Sequence, residues 1–482
     1  MAREGSVRNG MSVWKRGERV TRRRVIELVM ALALLVWFCI PALAEEETQQ
    51  KNPDDDIAQI TKEDWAKVEK MVKWFDRFTF YGDLRVRHES FFTNFDDSGG
   101  MNFGVNFHRE RFRLRLGFDV RMGDFAGHML FASGTNQQVS SDQTETALAT
   151  EKQFWIEQGY LSWQGSSTRW LKINMGKMIN PYFMNYSSDV VWDTDLNPEG
   201  YAEQLNFDLG SHVNLFLNAG QFVMNQQPST NVVVDSLTGE ILGISGSSHQ
   251  PWLIGEQLGV SMTTASQLQD NLAIAFYDFV NVSGADAAPL NGLVQQGNSR
   301  TGLGVLPPGT LLNNYRVLDI TSQLQTKVGS IPFSIIGDYI RNLANTTDNG
   351  INTGHATGNH GYQVGAILGH AADAHTWELA YFYKLVQTDA TLADLNDADF
   401  GNGGTARRGH IIWFAYNLTK FLQLKVKYFI TTSIVPMSTP GAPPPYGNCY
   451  NVPNPINPTQ YPPQNGSCGD INRLQADILM QF

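Results

Sequence analysis

The stretch from Arg109 to Ser133 constrains the fold more than any other part of the chain, because its first half alternates strictly between apolar and charged residues. Phe112, Leu114, Leu116, Phe118 and Val120 share one parity, and Arg111, Arg113, Arg115, Asp119 and Arg121 share the other. A β-strand places successive side chains on opposite faces. The apolar face could lie in a soluble core, or in lipid with the arginines in a wet lumen. This hairpin alone leaves both interpretations open.

The first 44 residues are typical of an export signal. A basic region containing Lys15 and Arg24 precedes an apolar run from Leu28 to Ile40, and residues 42–44 form an A-x-A cleavage site. An uncleaved anchor is the alternative, although the run is short for a membrane span. We therefore divide the chain into a signal peptide (1–44), a polar segment with an amphipathic helix (45–77) and a third part (78–482) that holds the strand-like segments described below.

Charge and hydropathy narrow the class of protein. Removal of residues 1–44 leaves 28 basic and 44 acidic residues, a net charge of −16, which argues against nucleic acid as a partner. No later run is long and apolar enough for a transmembrane helix, so a membrane-spanning chain would have to use strands. A helical period over Ile57 to Phe75 predicts a short periplasmic helix, with a lumen plug or an oligomerisation helix as alternatives.

Sixteen segments read as strands, one of them being residues 109–121. The other fifteen are Phe78–Glu89, Phe125–Ser133, Phe154–Trp163, Trp170–Met178, Gly200–Leu209, Val213–Phe222, Trp252–Thr263, Asn271–Val280, Tyr315–Val328, Ile331–Arg341, Gly361–His370, Ala374–Leu385, Arg408–Leu418, Phe421–Thr432 and Asn472–Phe482.

The connections between these segments alternate between short and long. The long ones are 90–108, 134–153, 179–199, 223–251, 281–314, 342–360, 386–407 and 433–471. Short periplasmic turns, long outer loops and an even strand number are typical of an outer-membrane barrel, and closure removes exposed sheet edges. The fold class is therefore all-β, a transmembrane antiparallel β-barrel of about 16 strands, in contact with outer-membrane lipid and lipopolysaccharide.

The last strand alternates through Leu474, Ala476, Ile478 and Met480, and the chain stops on Phe482. A final strand of this kind resembles the insertion signal by which the barrel-assembly machinery recognises bacterial outer-membrane proteins. Phe482 is our candidate for that signal. Together with the export signal, it predicts residence in the Gram-negative outer membrane after passage through the periplasm.

Four stretches resemble a family of Gram-negative putative porins. They are residues 81–85 (YGDLR), 109–117 (RERFRLRLG), 176–181 (GKMINP) and 192–200 (WDTDLNPEG). The similarity is clearest over residues 78–210. It implies a channel, and it brings no established functional residues.

A barrel of sixteen strands is too wide for side chains to fill, so we expect a water-filled channel whose charged groups set its selectivity. Basic residues of lumen parity predict a pore-lining basic wall: Arg85, Arg87, Arg111, Arg113, Arg115, Arg121, Lys172, Lys425, Lys427 and Arg473. The third long loop is the candidate constriction, by analogy with sixteen-stranded general porins. Its acidic residues are Asp189, Asp193, Asp195 and Glu199. The alternative places this loop outside as an ordinary polar loop.

Other kinds of site are less well supported. Residues 193–197 resemble the start of a calcium loop, but Pro198 and Gln204 stand where Gly and Glu are required. The histidines His355, His360, His370 and His375 are irregularly spaced. Hydrolases built on barrels need a Ser–His pair on the outer face near the rim, and none stands out. We therefore expect no catalytic residues, no cofactor and no metal.

The longest loop, 433–471, holds ten of the twenty prolines and the only two cysteines outside the signal peptide. Because export passes through an oxidising compartment, we expect a Cys449–Cys468 disulfide. The sequence as a whole predicts an outer-membrane porin for passive diffusion of small hydrophilic solutes and ions, which could assemble as a homotrimer. A substrate-selective channel, for instance for anions, or a structural or adhesive barrel are the alternatives.

Overall fold

The computed structural model describes residues 62–96, 102–135, 139–225, 229–234, 241–247, 250–264, 268–282, 297–298, 311, 313–344, 358–401, 403–434 and 470–482. The predicted signal peptide, residues 45–61 and both cysteines of the 433–471 loop lie outside these ranges. Within the described residues no helix is long and apolar enough to cross a membrane. The helix α1 (Lys62–Phe75) confirms the C-terminal part of the predicted helical segment, and it forms a unit separate from the barrel.

Sixteen antiparallel strands of the described chain close into one barrel, as predicted. They are β1 (Phe78–Asp96), β2 (Asn102–Met122), β3 (Phe125–Ser133), β4 (Phe154–Trp163), β5 (Leu171–Lys177), β6 (Glu199–Asp208), β7 (Val213–Val223), β8 (Trp252–Thr263), β9 (Gln269–Val280), β10 (Tyr315–Val328), β11 (Ile331–Asn342), β12 (His360–Gly369), β13 (Trp377–Val386), β14 (Arg407–Asn417), β15 (Leu422–Ser433) and β16 (Asp470–Gln481). Each strand pairs with its sequence neighbours, and the β1–β16 pairing closes the ring.

The alternating face assignment of the sequence holds in the structure. On β1 and β2, Phe80, Val86 and Leu116 point outward and are exposed, whereas Asp83 and Arg113 point inward and are buried among polar partners. The outward residues form the apolar surface that a barrel presents to lipid. Polar groups on the inward face are kept out of that lipid and can pair with one another.

Tight turns connect strands at one end of the barrel. Gly123, between β2 and β3, and Gly329, between β10 and β11, both have a positive φ, +62° and +63°. Residues with a side chain rarely adopt this backbone conformation, which glycine adopts without strain. These turns fix the strand register at the end of the barrel that carries the short connections.

Three of the predicted long loops contain additional paired backbone. The prediction of a loop over residues 90–108 is wrong for most of this range, because β1 and β2 remain paired as far as Asp96 and Asn102. Within 134–153, Gln143–Thr144 forms a short strand that pairs with Arg111 and Phe112 of β2. Within 223–251, Ser229–Val234 and Ile241–Ser247 form a separate two-stranded hairpin. Sequence periodicity does not reveal these pairs, because they lie beyond or between the segments that are long enough to span the barrel.

Candidate functional site

Barrel closure brings the basic residues of both chain ends onto one inner wall. Arg87 on β1 is in register with Arg111 on β2 and with Asp477 on β16. All six members of this arginine ladder point into the lumen: Arg85, Arg87, Arg111, Arg113, Arg115 and Arg473. Strands β1, β2, β15 and β16 are therefore neighbours in the closed ring, as expected for a barrel whose first and last strands pair.

Acidic side chains pair with the arginine ladder, so the wall is not simply basic. Arg87 binds Asp477 through two hydrogen bonds of 2.7 and 2.8 Å, in a bidentate arrangement. Its other amino group lies 3.4 Å from Asp142 and 3.3 Å from Asp399. Bidentate arginine–carboxylate pairs are strong and geometrically specific. The pairing joins β1 to the last strand and to two loops that enter the lumen.

Two further carboxylates are shared between arginines. Asp83 accepts hydrogen bonds from Arg113 at 2.9 Å and from Arg115 at 2.6 Å. Glu89 is fully buried and accepts from Arg109 and from Arg473, the latter at 2.5 Å. Buried charges are tolerated when they are paired in this way. These acids neutralise much of the positive charge that the sequence alone assigned to the wall.

Of the remaining predicted wall residues, Lys425 and Lys427 adjoin the arginine ladder, because β15 pairs with β16 and Lys425 is in register with Asp477, whereas Arg121 and Lys172 lie elsewhere. The ammonium groups of Lys425 and Lys427 on β15 lie over the ring of Trp413, at 4.8 and 5.7 Å from its centroid. Arg121 is exposed at the end of β2 next to the short turn. Lys172 lies on β5, which β3 and β4 separate from β2, and is therefore not part of the same wall.

The predicted constriction loop runs through the lumen, and we call residues 178–198 the inward segment. The backbone N–H of Phe183 donates to Gln257 on β8 at 2.6 Å, and the Asn185 amide donates to carbonyls of β10 and β11, both at 2.9 Å. Gln363 on β12 then donates to the Ser187 carbonyl at 2.7 Å. Residues 183, 185 and 187 thus contact β8, then β10 and β11, then β12, so the segment follows the wall formed by β8 to β13.

Aromatic packing fixes the start of the inward segment. Tyr182 is completely buried and meets the ring of Tyr277 edge-on, with centroids 5.0 Å apart. Its hydroxyl lies where a Cβ on residue 255 would approach to 2.1 Å, so only glycine fits at Gly255. Trp192 packs against both tyrosines and is buried. An apolar core therefore fills the lumen beside this wall.

A second loop, 387–406, folds inward and attaches to the inward segment. The N–H of Asp193 donates to the Leu395 carbonyl at 2.7 Å, and the Ala398 N–H donates to the Asp193 carboxylate at 2.8 Å. Lys384, on β13, is fully buried and donates to the Asp189 carbonyl at 2.8 Å and to the Asp397 carboxylate at 3.0 Å. Lys384 thus ties the two loops to the wall.

The predicted acids of the inward segment differ in environment. Asp189 and Asp193 are buried between the two loops, and burial together with the nearby Asp397 carboxylate raises the pKa of Asp189 to about 7. Asp195 faces the arginine ladder at 3.5 Å from Arg113. Glu199 lies at the start of β6 and pairs with Lys177 at 2.9 Å, outside the inward segment.

Sequence reasoning missed the acidic partners of the ladder and the second inward loop. A signal was available for Asp83 and Glu89, because both share the lumen parity of Arg85 and Arg87. Asp142, Asp397 and Asp399 carry no such signal, since their segments lack periodicity.

Within the described residues, no group of three or more His, Cys, Asp or Glu side chains is arranged to hold a metal ion. The Cys449–Cys468 disulfide lies outside the described residues and stays a prediction.

Comparison with known proteins gives the family. No curated protein matches the chain. Among solved structures, Pseudomonas putida OprB aligns at 11% identity with a TM-score of 0.47, covering 87% of this chain and 97% of that one. Salmonella typhi OmpF in complex with daunomycin aligns at 11% identity with a TM-score of 0.42, covering 84% of this chain and 97% of that one. Vibrio cholerae OmpT aligns at 9% identity with a TM-score of 0.41 and the same two coverages. A family model described as "Putative porin" matches residues 38–107, 99–302 and 309–452, which together span most of the sequence. The chain therefore belongs to the putative porin family and forms an outer-membrane β-barrel channel.

Proposed function

We propose that the protein passes small hydrophilic solutes and ions by diffusion through a gap between the inward segment and the arginine ladder. The carrying observation is that the inward segment is anchored to the wall formed by β8 to β13 and reaches the arginine ladder at Asp195, 3.5 Å from Arg113, so that the open passage lies beside this contact. Charged groups on two sides of a narrow aqueous gap orient polar solutes and exclude apolar ones.

Partial exposure locates the gap between these groups. Most of the arginine ladder is buried, but the side chains of Arg85 and Arg115 are 14% and 12% exposed. On the loop side, the side chains of Asp399 and Asp195 are 30% and 19% exposed. All four face the lumen. A solute in the gap would therefore meet carboxylates on the loop side and guanidinium groups on the wall side.

Charge pairing favours weak over strong anion selectivity. Seven acids lie within salt-bridge distance of the ladder arginines in the described part of the chain: Asp83, Glu89, Asp142, Glu157, Asp195, Asp399 and Asp477. Paired charges in contact attract a mobile ion much less than bare ones do. With its charges paired in this way, the predicted basic wall fits a general diffusion pore better than a substrate-selective anion channel.

Swelling of protein-loaded liposomes in sugars of increasing mass tests this proposal. We expect rates that fall steeply with sugar mass, because a constriction of fixed width sieves solutes by size. Liposomes with heat-denatured protein serve as the control. Swelling at the control rate for every sugar, with folded protein present, would contradict diffusion and favour the structural or adhesive barrel. Transport of a single solute class would favour the substrate-selective channel.

We further propose export by cleavage after Ala44, recognition of Phe482 by the assembly machinery, contact with lipopolysaccharide, and trimerisation. The terminal residue supports the second point: its backbone exchanges hydrogen bonds of 2.9 and 3.0 Å with Gly82 on β1, so insertion of β16 completes the ring. We propose transport without catalysis inside the lumen. N-terminal sequencing of the exported protein and cross-linking in detergent test the cleavage and the trimer.

A further inference from the structure

A polar cluster lies on the outward face of β1 and β2, where a barrel is expected to be apolar. His88 and Ser90 have the same parity as the exposed Val86, and they are flanked by the inward-facing Arg87 and Glu89. Glu110 is paired with His88 across the strands, and His108 is paired with Ser90. Ionisable groups on a lipid-facing surface are costly, so such a cluster calls for a functional explanation.

The four side chains form one hydrogen-bonded chain. Nδ1 of His88 lies 2.6 Å from Oε1 of Glu110, and Nε2 of the same ring lies 2.9 Å from Oγ of Ser90. Nδ1 of His108 lies 2.8 Å from the same hydroxyl oxygen. The rings of His88 and His108 are stacked at 5.8 Å, with Ser90 between them.

The chemistry of the groups assigns the protons. The Glu110 carboxylate accepts, so the neutral His88 ring carries its hydrogen on Nδ1 and has a free electron pair on Nε2. Ser90 therefore donates its hydroxyl hydrogen to His88, and its oxygen accepts from Nδ1–H of His108. A hydroxyl held against a histidine that a carboxylate orients is the arrangement of an activated serine nucleophile.

The cluster sits near the end of the barrel that carries the long connections. Ser90 is in register with Leu474 of β16, four residues before the pairing of Asn94 with Asp470 that begins this strand. Leu474 is in register with Tyr428 of β15, and tyrosine is enriched at the level of lipid headgroups. Ester bonds of membrane lipids lie at this boundary between headgroups and hydrocarbon.

We propose that Ser90, His88 and Glu110 form a serine esterase site on the outer wall, acting on acyl esters of amphiphiles in the outer leaflet. Oγ of Ser90 attacks the ester carbonyl while its proton passes to Nε2 of His88. The bond to the alcohol breaks, and His88 returns the proton to the leaving oxygen. Water then attacks the acyl-serine by the same proton relay, releasing a carboxylic acid and restoring the hydroxyl.

The other two residues have supporting parts. Glu110 is a positioning residue, which fixes the tautomer and orientation of the His88 ring. Nδ1–H of His108 donates to Oγ of Ser90 before an ester binds, and after the ring has turned it is a donor for the negative charge that develops on the ester oxygen. Ser90 is only 4% exposed between the two rings, so entry of an ester requires the His108 ring to turn aside.

This site does not depend on the channel. The prediction that the chain is not an enzyme rested on the lack of an evident Ser–His pair, and the pair becomes visible only when the strand register brings Glu110 and His108 beside it. The lumen side chains of the arginine ladder lie on the opposite face of the same strands. Loss of one activity should therefore leave the other intact.

The test uses the full chain refolded in detergent, with a fluorophosphonate probe and mixed micelles of dioctanoyl-phosphatidylcholine. We expect the probe to label Ser90, with mass spectrometry locating the adduct, and the micelles to release octanoic acid. Ser90→Ala should lose both signals. His88→Asn should lower hydrolysis by about 10²- to 10⁴-fold, the usual contribution of a general base. Glu110→Asp should retain more activity than Glu110→Gln.

Ser322→Ala is the matched control. Ser322 also lies on the outer face between two buried residues that point inward, but its cross-strand partners are Leu272 and Gly337, which are neither histidines nor carboxylates. It should label and hydrolyse like the parent protein. Folding of every variant is checked by heat-modifiable migration and by channel conductance. Folded parent protein that neither labels at Ser90 nor releases octanoic acid would overturn the proposal. Hydrolysis that persists in Ser90→Ala would do the same.

Discussion

Replacing Lys384 with methionine should release the inward segment while the barrel stays folded. Lys384 is fully buried, and its ammonium group holds both the Asp189 carbonyl, at 2.8 Å, and the Asp397 carboxylate, at 3.0 Å. Methionine retains the length of the apolar stem of lysine, lacks the ammonium group and therefore removes both contacts. The Asp397 carboxylate then remains buried without its cation, which is the costly way to break a buried ion pair.

The size of the effect follows from the burial of the pair. Removing one partner of a buried ion pair costs about 3–5 kcal/mol. Because the pair fastens loops to one strand and does not join strands to each other, this cost should fall on local opening and not on unfolding of the barrel. Amide hydrogen exchange within the inward segment should accelerate by roughly 150- to 5,000-fold, at about 1.4 kcal/mol per tenfold. Hydrogen exchange followed by mass spectrometry measures this change.

Two variants make the result interpretable. Lys384→Met combined with Asp397→Asn removes the buried, unpaired carboxylate and should recover much of the lost protection against hydrogen exchange. Lys327→Met changes an exposed lysine at the end of β10 and should alter nothing. Unchanged exchange in the inward segment of folded Lys384→Met protein would refute the anchoring role. An equal acceleration in the barrel strands would show that Lys384 supports the whole fold instead.

Three other predictions concern selectivity, insertion and pH. Changing Lys425 and Lys427 to Met removes two positive charges from the lumen, so the reversal potential in a KCl gradient should shift toward cation selectivity, whereas Lys420→Met in the exposed turn should cause no shift. Leu116→Arg places a charge on the lipid face and should cost about 2–4 kcal/mol near the midplane, measured by urea titration of folding into vesicles; undiminished stability would mean that the faces are reversed. Because the pKa of Asp189 is raised to about 7 from about 3.9 in an unfolded chain, its stabilisation of the packed loops is full below pH 4 and is lost as the pH rises through 7. Open-channel current noise should therefore increase from pH 5 to pH 8, and Asp189→Asn should flatten this dependence; equal dependence in both proteins would contradict it.

The sequence was enough to predict the strands because their signal is local. Alternation with a period of two identifies each spanning segment and its lipid face without knowledge of any partner, as residues 109–121 show. The alternation of short and long connections then predicts a closed even-numbered barrel. The same reasoning predicted a loop at 90–108, because the predicted strands were limited to the length needed to span the membrane, whereas β1 and β2 continue beyond it.

The contacts of the site were beyond prediction because they depend on register between distant segments. Arg87 meets Asp477 across 390 residues, and only closure of the ring places them together. Lys384 meets Asp189 and Asp397 because two loops without periodicity fold inward. For the outer cluster, the His88-x-Ser90 spacing is present in the sequence, but the carboxylate that orients the histidine lies on the next strand.

Deletion of residues 189–195, followed by single-channel recording in planar bilayers, tests the central claim most directly. If the inward segment narrows the channel, the parent protein gives discrete conductance steps, and the deletion variant gives larger ones in protein shown to be folded by heat-modifiable migration. The deletion removes the contact of Asp189 with Lys384 on β13, that of Asp193 with the second loop and that of Asp195 with the arginine ladder. Equal conductance in the two folded proteins, or no conductance in either, would contradict the account.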